Sequence, residues 1–332
     1  MAEVRPLIKE ELVPPRGSER RHLISVADLT REDVERLLGL ARAFARSLER
    51  EVKKLPTLRG RTIVNLFYES STRTSSSFEL AAKRLSADVM SIKATGSAVD
   101  KGESLKDTAL TIGAYDPDVV VIRHPHIGAP HVVASHTRAH VVNAGDGKHQ
   151  HPTQALLDLY TIEEELGGLE GLHVAIVGDV LHSRVARSEI QALVLMGARV
   201  TVVGPPALVP RGIEAMGCDV AYSIDAIRDA DVVYVLRMQR ERMLEGANYV
   251  PSLREYTARW AVTAERLRPG QRVMHPGPMN RGVEIDGAVA DAANALIERQ
   301  VRSGLVVRMA VLYDLLTHGP VEVKVAEIEE VA

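Results

Sequence analysis

Six short apolar runs punctuate the chain: IVNLF (63–67), VVVI (119–122), HVVNA (140–144), HVAIVG (173–178), RVTVVG (199–204) and DVVYVL (231–236). Each is continuous and rich in β-branched residues. Helical patterns alternate with them. The first opens at Ser25–Asp28 and carries an apolar face through Val34, Leu37, Leu38 and Ala41. Continuous β-branched runs separated by amphipathic helices predict buried parallel strands in βαβ units. The expected fold class is α/β, with two doubly wound parallel sheets and helices on both faces.

Residues 1–20 carry charges and Pro6, Pro14 and Pro15 without periodicity, so they are expected to form an extended arm. GDGKHQHP (145–152) is a polar loop ending in Pro152, and a helix is expected from there to about Glu165. GGLEG (167–171) then opens a second βαβ series, which places a domain boundary near residue 150. The last strong helix is expected at Ser303–His318, stopped by Gly319-Pro320. The tail VEVKVAEIEEVA alternates and then turns acidic.

At 332 residues the chain has about twice the length of a typical domain. Its 45% hydrophobic content is that of a globular protein able to bury real cores. The net charge of -3 and a pI near 6.5 exclude a global basic footprint for nucleic acid but leave room for a local cationic pocket. A single cysteine, Cys218, excludes an internal disulfide framework or a CxxC site. No apolar run approaches a membrane span of about 20 residues, and the N-terminus lacks an apolar signal core. A soluble cytoplasmic protein is expected.

The richest segment chemically is ESSTRTSSSFELAAKRL (69–85). A strand runs into seven hydroxyls within eight residues (70–77), around Arg73, at a helix start. Unpaired N–H groups, the helix dipole, hydroxyl donors and a guanidinium converge there on an anion such as phosphate. A plain N-cap needs only one hydroxyl. The absence of GxxxxGK[ST] argues against a nucleoside triphosphate.

In GDGKHQHPTQALLDLY (145–160), the pre-proline His151 is held out of the helix, with Gln154 one turn along. A polar hinge with a capping histidine reads the same way, so catalysis stays open on pattern alone. In HVAIVGDVLHSRVARSEIQALVLMGARVTVVG (173–204), only Gly178 stands where a dinucleotide site needs several glycines. Arg184 instead sits at a helix start, facing the crevice. Arg237 and Gln239 follow a strand, and HPGPMNRG (275–282) makes a stiff loop at Pro276 to Pro278. TGSAVDKGESLKDT (95–108) reads as a small-residue surface loop. His124, His126, His131, His136 and His140 match no zinc spacing, so no metal is expected.

Taken together, STRT (71–74), HPTQ (151–154) and RMQRER (237–242) resemble the aspartate/ornithine carbamoyltransferase family. The likeness runs from about His22 to His318. It implies an arm (1–20), a carbamoyl phosphate-binding domain (21–150 plus 303–318), an aspartate-binding domain (151–302) and a tail (319–332). Two helices would join the domains, the last crossing back to the first. It also implies a homotrimer with shared active sites, to which a regulatory chain or a dihydroorotase-type enzyme could dock. Carried over by motif, phosphate binding falls on Ser71, Thr72, Arg73 and Thr74. Carbamoyl binding falls on Arg123, His151 and Gln154, with backbone contacts at Gly277 and Pro278. The mobile loop falls on Ser97 and Lys101, and aspartate binding on Arg184, Arg237 and Gln239, with Lys101. Arg73, Thr74, Lys101, Arg123 and His151 would be catalytic.

The resemblance thus implies carbamoyl transfer to L-aspartate in pyrimidine biosynthesis, without a cofactor. Gly277 and Ser75 depart from family members that carry Leu and Arg there. An ornithine-specific enzyme shares the phosphate half, but its cationic substrate would be repelled by Arg237, and its typical HCLP and SMG segments are missing. A non-catalytic metabolite-binding paralogue is the alternative of a different class, and an assay for product separates the two.

Overall fold

The computed structural model describes residues 22–93, 102–239, 242 and 249–317, so Ser97, Lys101, the arm, the tail and His318 lie outside the described residues. In chain order the first half contains α1 (Arg31–Ser47), β1 (Thr62–Phe67), α2 (Thr72–Arg84), β2 (Asp88–Lys93), α3 (Leu105–Gly113), β3 (Val119–His124), α4 (Ala129–His136), β4 (His140–Asp146) and α5 (Pro152–Leu166). The second half contains β5 (His173–Val177), α6 (Arg184–Leu195), β6 (Arg199–Val203), β7 (Asp219–Ala221), β8 (Val232–Val235), α7 (Leu253–Trp260), β9 (Arg272–Met274), α8 (Gly287–Ala290) and α9 (Ile297–Thr317). Two sheets result, ordered β2-β1-β3-β4 and β7-β6-β5-β8-β9. Every strand pairing is parallel.

The continuous apolar runs follow from burial on both faces. Successive strand residues point to opposite sides, and here both sides are core. Ile63, Val119 and Val121 pack into one cluster, whereas Val64, Leu66, Val120 and Ile122 pack into another with Ile112 of α3 and Val133 of α4. In the second sheet Val174 and Ile176 join the first of these clusters, and Ala175 and Val177 enter a third. The largest cluster is shared by both sheets because Leu156 and Leu159 of α5 and Val307 and Leu312 of α9 lie between them. Each such side chain contributes roughly 1.5–3 kcal/mol when buried. The two halves are therefore joined by a common core at α5 and α9.

Strands outside the six apolar runs have physical reasons for being faint. The edge strand β2 is half exposed along its length, and the edge strand β7 has only three residues. Two helix starts differ from expectation. Ser25 caps a separate 3₁₀ turn at Val26–Asp28, and α1 begins at Arg31 under a Thr30–Asp33 capping box. The last helix begins at Ile297, not Ser303. Ser303 lies inside α9, where its hydroxyl accepts a 2.8 Å bond from Thr161, and Gly304 packs beside Leu157 of α5. These small residues mark a close helix crossing rather than a helix start.

Candidate functional site

The C-terminal ends of β1, β3, β4, β5, β8 and β9 feed one cleft of about 620 Å³. Such ends are where parallel sheets present their loops to ligands. Its lining includes Ser71, Thr72, Arg73, Thr74, Arg123, His151, Gln154, Arg184, Arg237, Gln239, Pro276, Gly277 and Pro278. The structure thus gathers every expected site residue it describes. Ser97 and Lys101 cannot be placed with them, being outside the described residues.

The first side of the cleft is the start of α2. Ser71 is the N-cap residue, yet its side chain makes no capping bond. The first turn holds no carboxylate, which leaves the dipole of α2 unopposed. Thr74 is buried, while Thr72 and Arg73 are exposed to the cleft. Two of the seven hydroxyls turn elsewhere: Ser75 and Ser77 donate back to the carbonyls of Ser71 (2.8 Å) and Arg73 (2.7 Å). The guanidinium of Arg73 occupies the space a side chain at position 277 would need. A Cβ on Gly277 would stand 2.5 Å from its Nη1, and Gly277 has φ +61°. Glycine therefore allows the loop to lie against Arg73.

His151 projects from the N-cap of α5 with φ -147° and ψ 71°. Its N–H donates to Ser188 Oγ at 2.7 Å, and Ser188 in turn donates to Gln150 Oε1 at 2.8 Å, tying this turn to α6. Buried Asp146 shapes the preceding loop by accepting from Asn143 Nδ2 (2.8 Å), Gly128 N (2.9 Å) and Gln150 N (3.0 Å). His151 Nδ1 is buried and has no hydrogen-bond partner. Burial first, then Arg123, Arg308, Arg184 and Arg242, push its pKa well below the usual imidazole value. It is a neutral ring at physiological pH.

On the far side, Arg184 begins α6 and is 2% exposed. It lies across the end of β4, where a Cβ on Gly145 would stand 2.6 Å from its Nη1. Arg184 Nη2 donates to Glu69 Oε2 at 2.6 Å, while its Nε and Nη1 are buried without partners. Arg123 Nη1 donates to Ala144 O at 3.2 Å, and its Nε lies 3.2 Å from Glu69 Oε2 without hydrogen-bond alignment. Burial, then Arg184, lower the Arg123 pKa to about 9, against the pull of Glu69. Arg242 reaches Glu69 Oε1 at 3.9 Å and donates to His182 O at 3.1 Å. Gln239 is held by its N–H on Asp179 Oδ2 at 3.0 Å. Buried guanidinium donors with no partner favour an incoming anion.

Glu69, Arg242, Gln300 and Arg308 were not among the expected site residues. Glu69 stands immediately before the hydroxyl cluster, and an acid among so many cationic segments was the available signal. Arg308 interrupts the apolar stretch GLVVRMAVL of α9, lines the cleft, and lies 5.1 Å over the Phe78 ring. Among the described residues, no group of three His, Cys, Asp or Glu side chains could hold a metal ion. No described helix is long and apolar enough to cross a membrane.

Comparison with known proteins gives the same pattern over most of the chain. Residues 21–164 match the carbamoyl-P binding domain of aspartate/ornithine carbamoyltransferases, and residues 170–315 match the Asp/Orn binding domain. An aspartate carbamoyltransferase catalytic subunit from Acidothermus cellulolyticus is 58% identical over 303 residues, covering 90% of this chain and 93% of that protein. One from Moorella thermoacetica is 53% identical over 302 residues, covering 90% and 98%. Among solved structures, the aspartate transcarbamoylase of Trypanosoma cruzi in complex with N-(phosphonacetyl)-L-aspartic acid has a TM-score of 0.81 at 34% identity, covering 91% of this chain and 98% of that one. The catalytic subunit of the M. jannaschii enzyme gives 0.79 at 36% identity, covering 90% and 98%. Sequence, topology and site composition agree: the chain belongs to the aspartate/ornithine carbamoyltransferase family.

Proposed function

We propose that the chain transfers the carbamoyl group of carbamoyl phosphate to the amine of L-aspartate, giving N-carbamoyl-L-aspartate and phosphate for pyrimidine biosynthesis in the cytoplasm. One observation carries this reading. Among the described residues, the cleft lining holds six arginines (Arg73, Arg123, Arg184, Arg237, Arg242 and Arg308) and no carboxylate, and the one acid paired with them, Glu69, is outnumbered by its three arginine partners. Carbamoyl phosphate brings about two negative charges, and aspartate brings two carboxylates. Ornithine would set a cationic side chain among these guanidinium groups.

The phosphate fits the start of α2, at Ser71, Thr72, Arg73 and Thr74. The carbamoyl group then faces Arg123, His151, Gln154 and the backbone of Gly277 and Pro278. Aspartate falls to Arg184, Arg237 and Gln239. The neutral amine attacks the carbamoyl carbon, forming the N–C bond and placing charge on the carbonyl oxygen. Thr74, Arg123 and the neutral His151 stabilise that oxyanion. The bond between the carbamoyl carbon and the bridging oxygen breaks, and the departing phosphate takes the amine proton. Catalysis here is positioning and electrostatics, without a protein nucleophile.

Ser97 and Lys101 are assigned to a loop reaching from a neighbouring subunit of a homotrimer. Exposed Leu110, Tyr115, Ile127 and Val132, on and beside α3 and α4, support an oligomeric surface there. The corresponding domain division is 21–150 plus 303–318, and 151–302. The test is a product assay in metal-free buffer with aspartate and ornithine side by side. Carbamoyl aspartate is expected. Faster carbamoylation of ornithine would overturn the reading.

A further inference from the structure

Behind the cleft lies a pair of carboxyl groups that carbamoyl transfer does not itself use. Asp158 of α5 and Glu189 of α6 are both 0% exposed. Asp158 is saturated with donors. Its Oδ1 accepts from Gln300 Nε2 at 2.7 Å, and its Oδ2 from Tyr234 OH at 2.7 Å, while Gln154 Nε2 lies 3.2 and 3.0 Å from the two oxygens. Glu189, by contrast, has both oxygens buried without any donor. The two carboxyl groups are in hydrogen-bonding contact. Two acceptors in contact make a bond only if one holds a proton.

The surrounding charges decide which. Tyr234 on β8 stays protonated, since burial and the two acids raise its pKa well above the usual value. From α9 come Gln300, which is neutral, and Arg308, whose pKa burial lowers to about 10 against the pull of the Asp158 carboxylate, so it stays a cation at neutral pH. One cation balances one anion, and a second buried carboxylate would be uncompensated. Burial, then the charge of Asp158, push the Glu189 pKa well above the usual carboxylate value.

The geometry points to Glu189 as a positioning residue: a neutral carboxylic acid that donates its proton to Asp158 and, through Asp158, sets the Gln154 amide and the His275–Pro278 loop. With Nε2 of Gln154 turned to Asp158, its Oε1 is the acceptor left for the cleft. Gln300 relays the same carboxylate to the loop by accepting from His275 N at 2.9 Å. Tyr234 adds β8, the strand that leads to Arg237. Four segments that line the cleft thus converge on Asp158, and Glu189 fixes its protonation state. The inference rests on the proposed carbamoyl transfer only in giving Gln154 a ligand, the carbamoyl NH₂.

The test compares the full chain with Glu189→Gln and Glu189→Leu. Glutamine still donates to Asp158 and cannot ionise; leucine does neither. In the wild type, kcat/KM for carbamoyl phosphate should fall at alkaline pH as the pair loses its proton. Glu189→Gln should stay within about twofold of wild type at neutral pH and lose the pair's share of that fall, keeping the share set by Arg123 with its pKa of about 9, whereas Glu189→Leu should fall about tenfold, as for one lost buried hydrogen bond. Infrared difference spectra of wild type minus Glu189→Gln should show the carbonyl stretch of a neutral carboxylic acid, whether or not the leucine variant folds. An absent band, or an alkaline limb unchanged in Glu189→Gln, would overturn the assignment. If no carbamoyl aspartate forms, the functional reading fails, and the infrared band still decides the pair.

Discussion

The two sides of the cleft are built differently. On the α2 side, four consecutive residues, Ser71 to Thr74, present hydroxyls, a guanidinium and helix-start amides together. On the α6 side, Arg184 comes from the start of α6 and Arg237, Gln239 and Arg242 from the segment after β8, and Arg123, Arg184 and Arg242 gather around a carboxylate, Glu69, from just before α2. The first side is made by local backbone geometry, so it exists wherever that turn folds. The second exists only when the two sheets are docked through α5 and α9. On the proposed function, the phosphate falls to the first side. Recognition of a second anion needs the whole molecule.

Arg123 sits between the two sides, and its removal should have the largest effect. Arg123→Ala should lower kcat by about 10²–10³, the loss typical of one oxyanion donor. Steady-state kinetics with both substrates saturating gives that number directly. A change confined to KM would make Arg123 a ground-state binder.

Gly277→Ala probes the phosphate side through packing. The added Cβ would meet the Arg73 guanidinium at 2.5 Å, and φ +61° is strained for alanine. The expected result is a KM for carbamoyl phosphate raised about tenfold, from about 1–2 kcal/mol of displacement and strain, with the aspartate KM little changed. Equal rises for both substrates would mean that this loop serves both sides.

The smallest effect concerns pH. His151 is buried neutral, so the unfolded chain binds a proton near its ordinary pKa that the folded chain refuses. Folding stability therefore falls as pH drops below about 6.5. Urea midpoints measured at pH 8 and pH 5.5 should differ less in His151→Gln than in wild type. An identical difference would mean that His151 charges in the folded protein.

The same contrast explains what the sequence could and could not say. Buried β1, β3, β5 and β8 are apolar on both faces, so their runs stand out, whereas the edge strands β2 and β7 face solvent and do not. STRT and HPTQ are contiguous, and their residues reach the cleft because strand-end turns place neighbours together. Glu69 carries no local mark of its role beyond the cationic segments around it, since its three arginine partners lie 54, 115 and 173 residues away. Asp158 and Glu189 were likewise hidden: each reads as the polar face of an amphipathic helix until α5 and α6 are packed. Ser303 misleads in the opposite sense, because a small residue of the kind that starts helices also allows helices to cross closely. Local chemistry was legible, and chemistry assembled across the core was not.

The central claim is that one cleft holds two anions on separately built sides. Titration calorimetry on wild type and Arg237→Ala, with inorganic phosphate and with N-(phosphonacetyl)-L-aspartic acid, tests it most directly. The variant should bind phosphate as wild type does and lose about 10- to 100-fold in affinity for the bisubstrate compound, as expected for one charged hydrogen-bonding group. Equal weakening of both ligands would contradict the division of the cleft.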